Sequence, residues 1–328
     1  MKRQAASILG TGSYVPARIL TNAELASTVD TNDEWIRSRT GIAQRHIAAA
    51  DEQCSDMGFK ASERALAAAG MAATSIDAII CATLSPDFPW PATACLIQRK
   101  LGATQAMAFD VSAACSGLVY AMAVAEGLIA AGTAKHVLIV GSEKLSGILD
   151  WSDRNTCVLF GDGAGAMVLG PANGKAVIRS MMLGADGKQV EKLYQPGGGT
   201  ACPATVDSVT QKLHFLKMDG KDVFKFAVKI MGEASAQAVE KAGWKTDEID
   251  LFVPHQANIR IIEAAAKYMG LPMDKVFVNL DKYGNTSAAS VGIALDEAVA
   301  AGRVKAGSKV VLVAFGAGLT WAASAVEW

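Results

Sequence analysis

The feature that most constrains the fold of this chain is an internal repeat of one α/β unit. The segments AAAGMAATSIDAII (67–80) and VEKAGWKTDEIDLFV (239–253) both end a helix at glycine and then begin a strand at Ile-Asp, and their glycines lie 173 positions apart. A second pair of similar segments matches Gly132 with Gly302, at an offset of 170. Two matches at nearly one offset indicate two copies of the unit rather than chance similarity between alanine-rich helices.

The 328 residues suffice for two such copies with a substantial core. We place the boundary near GPANGKAV (170–177), which gives an N-terminal half, 1–172, and a C-terminal half, 173–328. Along both halves, short apolar runs such as HVLIVGSE and KVVLVAFG alternate with alanine-rich stretches that close at glycine. This alternation predicts α/β layers with a mainly parallel sheet.

The repeat also predicts where functional residues lie. Counting back 17 positions from Gly132 gives Cys115, and the same count from Gly302 gives Asn285, so we expect both at equivalent strand-to-helix junctions. His255 lies just beyond the predicted strand IDLFVP. Because sites in parallel α/β sheets lie beyond the carboxyl ends of the strands, a pseudo-twofold arrangement would bring the three residues together.

These residue types suit acyl chemistry. A cysteine at a helix N-terminus has a lowered pKa, and its thiolate can take an acyl group from a thioester. The Nε2–H of His255 and the Nδ2–H of Asn285 can stabilise the enolate left when a malonyl thioester loses carbon dioxide. Taken singly, Cys115 is equally well a buried structural thiol and Asn285 a helix cap. The predicted chemistry needs no metal and no organic cofactor.

Composition bears on partners and location. The formal net charge of −1 gives no single-sign field for nucleic acid, and no apolar run reaches the length of a membrane span. The six cysteines are scattered without CxxC or metal-ligand spacing, which predicts reduced thiols and a cytoplasmic protein. Lys2 and Arg3 precede an apolar run that glycine interrupts, so we predict a first strand there rather than a signal peptide.

Six motifs occur in the order typical of one known family. They are DEWIRSRTGIAQRH (33–46), AACSG (113–117), DRNTCVLFGDGAGAMVLG (153–170), HQANIRII (255–262), GNTSAAS (284–290) and FGAGLTW (315–321). Over essentially its whole length the chain thus resembles the β-ketoacyl-acyl-carrier-protein synthase III family. The resemblance implies a thiolase-like fold, in which two pseudo-duplicated α/β halves form a five-layered αβαβα sandwich.

The resemblance also implies an activity. An acyl-CoA primer, expected to be acetyl-CoA, would acylate Cys115, and malonyl-acyl-carrier protein would then lose carbon dioxide beside His255 and Asn285. A decarboxylative Claisen condensation would release CoA and give a β-ketoacyl-carrier protein, the first condensation of type II fatty-acid synthesis. The family likeness further implies a homodimer.

Several binding residues follow from the same resemblance. The backbone N–H groups of Cys115 and Ala317 would form the oxyanion hole. Phe315 and Trp90 would line the acyl pocket, with Trp90 reaching the pocket of the partner subunit and its bulk selecting short primers. The positions that match the family's coenzyme A site are Thr31, Trp35, Arg39, Arg154, Gly220 and Asn258, of which Trp35 and Arg154 would enclose the adenine.

Basic residues indicate a protein partner. Lysines recur every four residues from Lys217 to Lys229, and at least the last of them should share a helix face. Together with the family likeness at Lys225 and Arg260, this predicts docking of an acidic acyl carrier protein at Lys225, Lys229 and Arg260. A solvated helix face is the alternative interpretation.

Two other classes compete with this hypothesis. A thiol hydrolase of the papain type also uses Cys, His and Asn in this chain order, although the local sequence around its cysteine is absent here. Among thiolase-fold enzymes, a hydroxymethylglutaryl-CoA synthase requires a glutamate near CATLSPD, where only Asp87 occurs. A quinolone- or polyketide-forming condensing enzyme remains open.

Overall fold

A computed structural model describes residues 5–328, so Lys2 and Arg3 lie outside the described part of the chain. The strands are β1 (Ala6–Tyr14), β2 (Arg18–Thr21), β3 (Gln44–Ile47), β4 (Ala78–Ala82), β5 (Met107–Val111), β6 (Val137–Glu143), β7 (Gly163–Pro171), β8 (Val177–Ala185), β9 (Leu193–Tyr194), β10 (Lys217–Met218), β11 (Leu251–Pro254), β12 (Lys309–Gly316) and β13 (Thr320–Glu327).

The α-helices are α1 (Asn22–Leu25), α2 (Asp33–Thr40), α3 (Cys54–Ala69), α4 (Thr93–Leu101), α5 (Gly117–Ala130), α6 (Arg154–Cys157), α7 (Val206–Thr210), α8 (Gly220–Lys241), α9 (Ile259–Tyr268), α10 (Leu280–Tyr283) and α11 (Ser290–Ala300). Short 3₁₀ helices span Ala73–Ser75, Ala114–Ser116, Leu145–Gly147, Gly187–Lys192, Thr246–Glu248, Met273–Lys275 and Ser287–Ala289. No helix within residues 5–328 combines the length and the apolar character that a membrane crossing requires.

The main sheet consists of two similar halves. Its strand order is β11-β12-β13-β8-β1-β7-β6-β4-β5, and the halves meet where Ser7 of β1 pairs with Val177 of β8. Helices α3 and α4 pack outside the N-terminal half, and α8 and α9 pack outside the C-terminal half. Helices α5 and α11 lie between the halves in one apolar cluster. These layers give the αβαβα sandwich that the resemblance implied.

The sheet is mixed, and the prediction of a mainly parallel sheet is wrong. Strands β4, β5 and β6 pair in parallel, as do β11 and β12, because a helix connects them. Strands β1, β7, β8 and β13 all pair antiparallel with their neighbours. The short turn from Gly316 to Thr320 allows β13 to fold straight back on β12. The division at 172/173 falls between β7 and β8 and stays a prediction.

The structure corrects the predicted equivalence of Cys115 and Asn285. The 3₁₀ turn before α5 begins at Ala114 and the one before α11 begins at Ser287, and both residues have a left-handed φ, 45° and 48°. These positions are 173 apart, so Cys115 corresponds to Ala288. Counting back from the helix ends gave the wrong partner because α5 has 14 residues and α11 has 11.

Candidate active site

The three predicted catalytic residues line one cavity. This cavity has a volume of about 530 Å³, and Cys115, His255 and Asn285 contribute to its wall together with Phe315 and Gly316. Cys115 follows β5 and His255 follows β11, as predicted, whereas Asn285 lies between α10 and the 3₁₀ turn that begins at Ser287 rather than after a strand of the sheet. The structure therefore brings together residues that are up to 170 positions apart in the sequence.

Cys115 lies in a tight turn between β5 and α5. Ala114 adopts a φ of 45°, which places Cys115 at the apex of the turn. The end of β12 packs directly against this apex, since a Cβ atom added to Gly316 would lie 2.5 Å from the backbone nitrogen of Cys115. Glycine at 316 is thus required for the close approach of β12 to the cysteine.

The protonation state of Cys115 differs from the prediction. Burial raises the pKa of its thiol to about 12, and the Glu143 carboxyl acts in the same direction. Loss of solvation is the largest cause of this shift, and the Ser287 side chain opposes it without reversing it. The predicted lowering of the pKa is therefore wrong for this site, and the neutral thiol predominates at neutral pH.

One backbone contact and two ring contacts hold His255 at the end of β11. Its backbone N–H donates to Val313 (2.7 Å), and its Nδ1 lies 2.6 Å from the Ser290 hydroxyl oxygen. The ring also meets Phe315 edge-on, with the centroids 5.8 Å apart. Burial lowers the pKa of His255 to about 3, so the imidazole is neutral at physiological pH.

Asn285 is fixed through its backbone and its side chain. Its backbone N–H donates to Leu159 and its carbonyl accepts from Gly161, so the residue forms a parallel bridge beside Phe160. Its Oδ1 accepts the backbone N–H of Ser287 at 2.8 Å. With the oxygen so engaged, the Nδ2 amide is the group left for a ligand.

The predicted oxyanion-hole segments are held together by Thr320. Its hydroxyl lies 3.0 Å from the carbonyl of Ala113 and 3.1 Å from that of Ala317, and 2.9 Å from the Ser116 hydroxyl. Cys115 and Ala317 both border a second cavity of about 370 Å³. The two backbone segments expected to form the hole are therefore neighbours.

This second cavity continues from Cys115 into an apolar region. Its lining includes Leu145, Ile148, Phe160, Leu193, Leu216, Ser287 and Thr320. Phe315, which was predicted for the acyl pocket, instead lines the first cavity. Trp90 lines neither cavity within the described chain, and its side chain is 83% exposed.

The predicted coenzyme A residues surround the outer part of the first cavity, where Trp35, Arg39, Gly220 and Asn258 line the wall. The Arg154 guanidinium lies over the Trp35 ring, 5.0 Å from its centroid. Since these two groups are in contact, a base can enter between them only if they separate.

The remaining predicted coenzyme A position, Thr31, does not line the first cavity. Its hydroxyl oxygen is buried without a hydrogen-bond partner in the described chain.

The predicted docking residues lie on α8 and α9, two helices that contribute other residues to the wall of the first cavity. Lys225 and Lys229 are exposed on α8, and Lys229 is 4.0 Å from Glu233. Arg260 lies in the first turn of α9, and its guanidinium lies 5.4 Å from the centroid of the Phe224 ring. The three cations therefore belong to helices that line this cavity, although none of the three lines it.

The region of Asp87 contains a second carboxyl that the sequence did not reveal. Asp87 accepts hydrogen bonds from the backbone and hydroxyl of Ser55, so it serves as a cap for α3. Glu143, at the end of β6, is fully buried, and one of its oxygens accepts from Thr83, Leu84 and Ser85. Burial raises the pKa of Glu143. The sequence could not show this position, because Glu143 reaches residues 83–85 only through the pairing of β6 with β4.

Sequence reasoning missed the residues that hold the site in place. These are Gly316, Thr320, Ser287 and Ser290, which contact the predicted residues through backbone proximity or hydrogen bonds. Ser287 and Ser290 belong to the motif GNTSAAS, which drew attention only to its asparagine. Small residues next to a predicted catalytic residue were the available signal.

The layered fold, the buried cysteine turn and the cavity that Cys115 shares with His255 and Asn285 are those of a condensing enzyme of the thiolase-fold class. Two family models match the chain: 3-oxoacyl-[acyl-carrier-protein (ACP)] synthase III over residues 109–187, and the C-terminal model of the same synthase over residues 239–328. The chain belongs to this β-ketoacyl-[acyl-carrier-protein] synthase III family.

Individual relatives cover the whole chain. The β-ketoacyl-[acyl-carrier-protein] synthase III of Caldanaerobacter subterraneus subsp. tengcongensis is 52% identical over 99% of this chain and 98% of its own length. That of Symbiobacterium thermophilum is 53% identical over 100% and 99%. The crystal structure of the Aquifex aeolicus synthase III has a TM-score of 0.92 at 46% identity, covering 98% of this chain and 100% of its own.

A relative from another pathway is also similar. The priming β-ketosynthase of the R1128 polyketide biosynthetic pathway has a TM-score of 0.91 at 38% identity, and the match covers 99% of this chain and 96% of that one.

The papain-type hydrolase hypothesis is excluded by the fold and by the family.

Proposed function

We propose that the chain catalyses the condensation of a short acyl-CoA primer, expected to be acetyl-CoA, with malonyl-acyl-carrier protein, as the first condensation of type II fatty-acid synthesis. The observation that carries this proposal is the convergence of Cys115, His255 and Asn285 on one cavity that opens beside Trp35 and Arg39. A thiol, two neutral N–H donors and an opening for a long thioester are the parts that the reaction needs.

In the first half-reaction, the sulfur of Cys115 attacks the thioester carbonyl. The backbone N–H groups of Cys115 and Ala317 stabilise the tetrahedral oxyanion. The carbon–sulfur bond to CoA then breaks, and the proton lost by the Cys115 thiol ends on the CoA thiol. Burial raises the pKa of the Cys115 thiol, so little thiolate is present at neutral pH before the substrate binds.

In the second half-reaction, the malonyl thioester oxygen accepts hydrogen bonds from His255 and Asn285. Loss of carbon dioxide leaves an enolate that these donors stabilise, and its carbon attacks the acyl group on Cys115. The new carbon–carbon bond replaces the bond to sulfur, Cys115 leaves as the thiolate, and one proton taken up from solvent regenerates the thiol. Protein groups and the thioester substrates supply this chemistry, so we propose no metal and no organic cofactor.

Charged and apolar residues on the surface support two proposed protein partners, an acyl carrier protein and a second copy of this chain. Lys225, Lys229 and Arg260 attract the acidic acyl carrier protein to the cavity mouth. The chain forms a homodimer in the cytoplasm, and the exposure of Phe88 (54%) and Trp90 (83%) on one loop supports burial of that loop against a partner. Neither nucleic acid nor a membrane takes part in this proposal.

Trp90 from the partner subunit would limit the acyl pocket and so favour short primers. The test compares wild type, Trp90→Phe and Trp90→Ala on acyl-CoAs of two to ten carbons. A wild type that prefers eight or ten carbons, or an unchanged profile in Trp90→Ala, contradicts this role.

The central experiment is mass spectrometry of products from purified protein, malonyl-carrier protein and a panel of acyl-CoAs. Acetyl-CoA should give acetoacetyl-carrier protein, and Cys115→Ser should abolish acylation because a serine alkoxide is much harder to form than a thiolate. Free acid as the product contradicts condensation. Selective use of a non-acetyl primer would favour the polyketide-priming alternative, which the similarity to the R1128 enzyme keeps open.

A further inference from the structure

The reaction requires that two side chains present hydrogens, not lone pairs, to the same substrate oxygen. Neutral imidazole carries hydrogen on only one nitrogen, and an asparagine amide can present either its oxygen or its NH₂ group. A wrong histidine tautomer or a flipped amide would direct a lone pair at the enolate and repel it. Something in the structure must therefore select both orientations.

For Asn285, the selection is made by the chain itself. The backbone N–H of Ser287 donates to Oδ1 at 2.8 Å, and a backbone N–H cannot accept. This contact fixes the oxygen toward Ser287 and the Nδ2 hydrogens toward the cavity.

For His255, the corresponding contact is the 2.6 Å approach of Nδ1 to the Ser290 hydroxyl. Both residues are buried, at 1% and 2% exposure, so no bulk solvent competes for this bond. Within residues 5–328 the Ser290 hydroxyl has no other hydrogen-bond partner, so its hydrogen is satisfied only if it points to Nδ1. Nδ1 then accepts, and the ring hydrogen lies on Nε2.

We propose that Ser290 is a positioning residue that holds His255 in the tautomer with its hydrogen on Nε2. Ser290 and Ser287 lie in one turn at the start of α11, so a single short segment sets both donors of the enolate site. The role in decarboxylation rests on the proposed function, whereas the tautomer does not.

The first test is direct. Protein labelled with ¹⁵N-histidine should show His255 as the Nε2–H tautomer in wild type, assigned by comparison with His255→Ala. A wild-type spectrum of the Nδ1–H tautomer overturns the proposal, whatever the protein catalyses. Ser290→Ala should remove the tautomer preference, and Ser290→Thr, which keeps the hydroxyl, should restore it.

The second test separates the half-reactions. In Ser290→Ala, decarboxylation of malonyl-carrier protein should fall by about 10- to 100-fold, the size of effect found when a metal-bound histidine loses the partner that orients it. Acyl loading of Cys115 should stay near the wild-type rate. Equal loss in both half-reactions, or no loss in decarboxylation, contradicts the positioning role.

Controls address folding and the proposed function separately. Ser235→Ala removes another buried helix hydroxyl, which bonds to the carbonyl of Met231 at 2.7 Å, and should change neither half-reaction. Should Ser290→Ala fail to fold, Ser290→Cys keeps the shape with a poor donor and carries the same expectations. A wild type that shows the Nε2–H tautomer but no decarboxylation refutes the proposed function and leaves the tautomer assignment standing.

Discussion

The contact between β12 and the cysteine turn gives a sharp prediction for Gly316→Ala. The added methyl would lie 2.5 Å from the backbone nitrogen of Cys115 and 3.1 Å from its Cβ. Carbon and nitrogen atoms pack without repulsion at roughly 3.5 Å, so the turn and the strand must separate by about 1 Å. Overpacking of this kind costs about 1–3 kcal/mol in the free energy of unfolding.

The same displacement acts on catalysis. The nucleophile and both proposed oxyanion donors belong to the segments that must separate, and a misplacement of about 1 Å lowers a reaction rate by roughly 100-fold. We therefore expect acyl loading of Cys115 to slow by about this factor, which corresponds to about 2.7 kcal/mol in activation free energy.

The assay is intact-protein mass spectrometry after timed exposure to acetyl-CoA, with thermal unfolding measured on the same samples. The matched control is Gly127→Ala on the exposed face of α5, where an added Cβ would meet no atom within 4 Å. Helix propensity predicts that this control gains up to about 1 kcal/mol in stability, with normal loading. A folded Gly316→Ala protein that loads at the wild-type rate would refute the argument from close approach.

Three further predictions concern the site and its surface. The rate of Cys115 alkylation by iodoacetamide should rise about tenfold per pH unit above neutrality, because a pKa of about 12 leaves only a small thiolate fraction in this range. A rate that levels off near pH 7 would show that the helix dipole outweighs burial in setting the pKa. His255→Ala and Asn285→Ala should each raise the activation free energy of malonyl decarboxylation by about 2.7–4 kcal/mol and leave acyl loading of Cys115 unchanged. The rates of the two half-reactions are measured separately, and an equal loss in both would contradict the division of roles. Lys225→Glu and Arg260→Glu should raise KM for malonyl-carrier protein but not for acetyl-CoA, and the defect should shrink with added salt; a KM independent of charge and salt would leave these residues as a solvated surface.

Many elements of the fold were predictable because short apolar runs alternate with alanine-rich stretches along the sequence. The strands at Val137–Glu143 and Lys309–Gly316 and the helix Gly117–Ala130 lie where the apolar runs placed them. Strand direction was not predictable from those runs. Antiparallel pairing of β7 and β13 depends on which neighbour each strand meets in the folded sheet, and an apolar run carries no such information.

The candidate site was also predictable only in part: its residues were identified from the sequence, but the pKa of its cysteine was not. Residue type and location at strand ends pointed to Cys115, His255 and Asn285, because thiol, imidazole and amide chemistry is local to each side chain. The pKa of Cys115 was predicted in the wrong direction because burial depends on the packing of β12 against the turn, and Gly316 of β12 lies 201 positions after Cys115 in the chain. Electrostatics of a buried site is a property of the assembled layers, not of a motif.

The corrected register of the repeat explains why the two halves do different chemistry. The turns at Ala114 and Ser287 are structurally equivalent, so the second half could in principle present a nucleophile at 288. It has alanine there, and Gly141 on β6 allows the backbone of that turn to approach closely, since an added Cβ would lie 2.3 Å from the carbonyl oxygen of Ala288. Gly316 makes the corresponding close approach to the backbone of the first turn, so the contact is common to both turns and the residue type at 115 and 288 is what differs. The first turn carries the thiol, while the second has flanking residues, Asn285 before the turn and Ser290 after it, that belong to the enolate site proposed above.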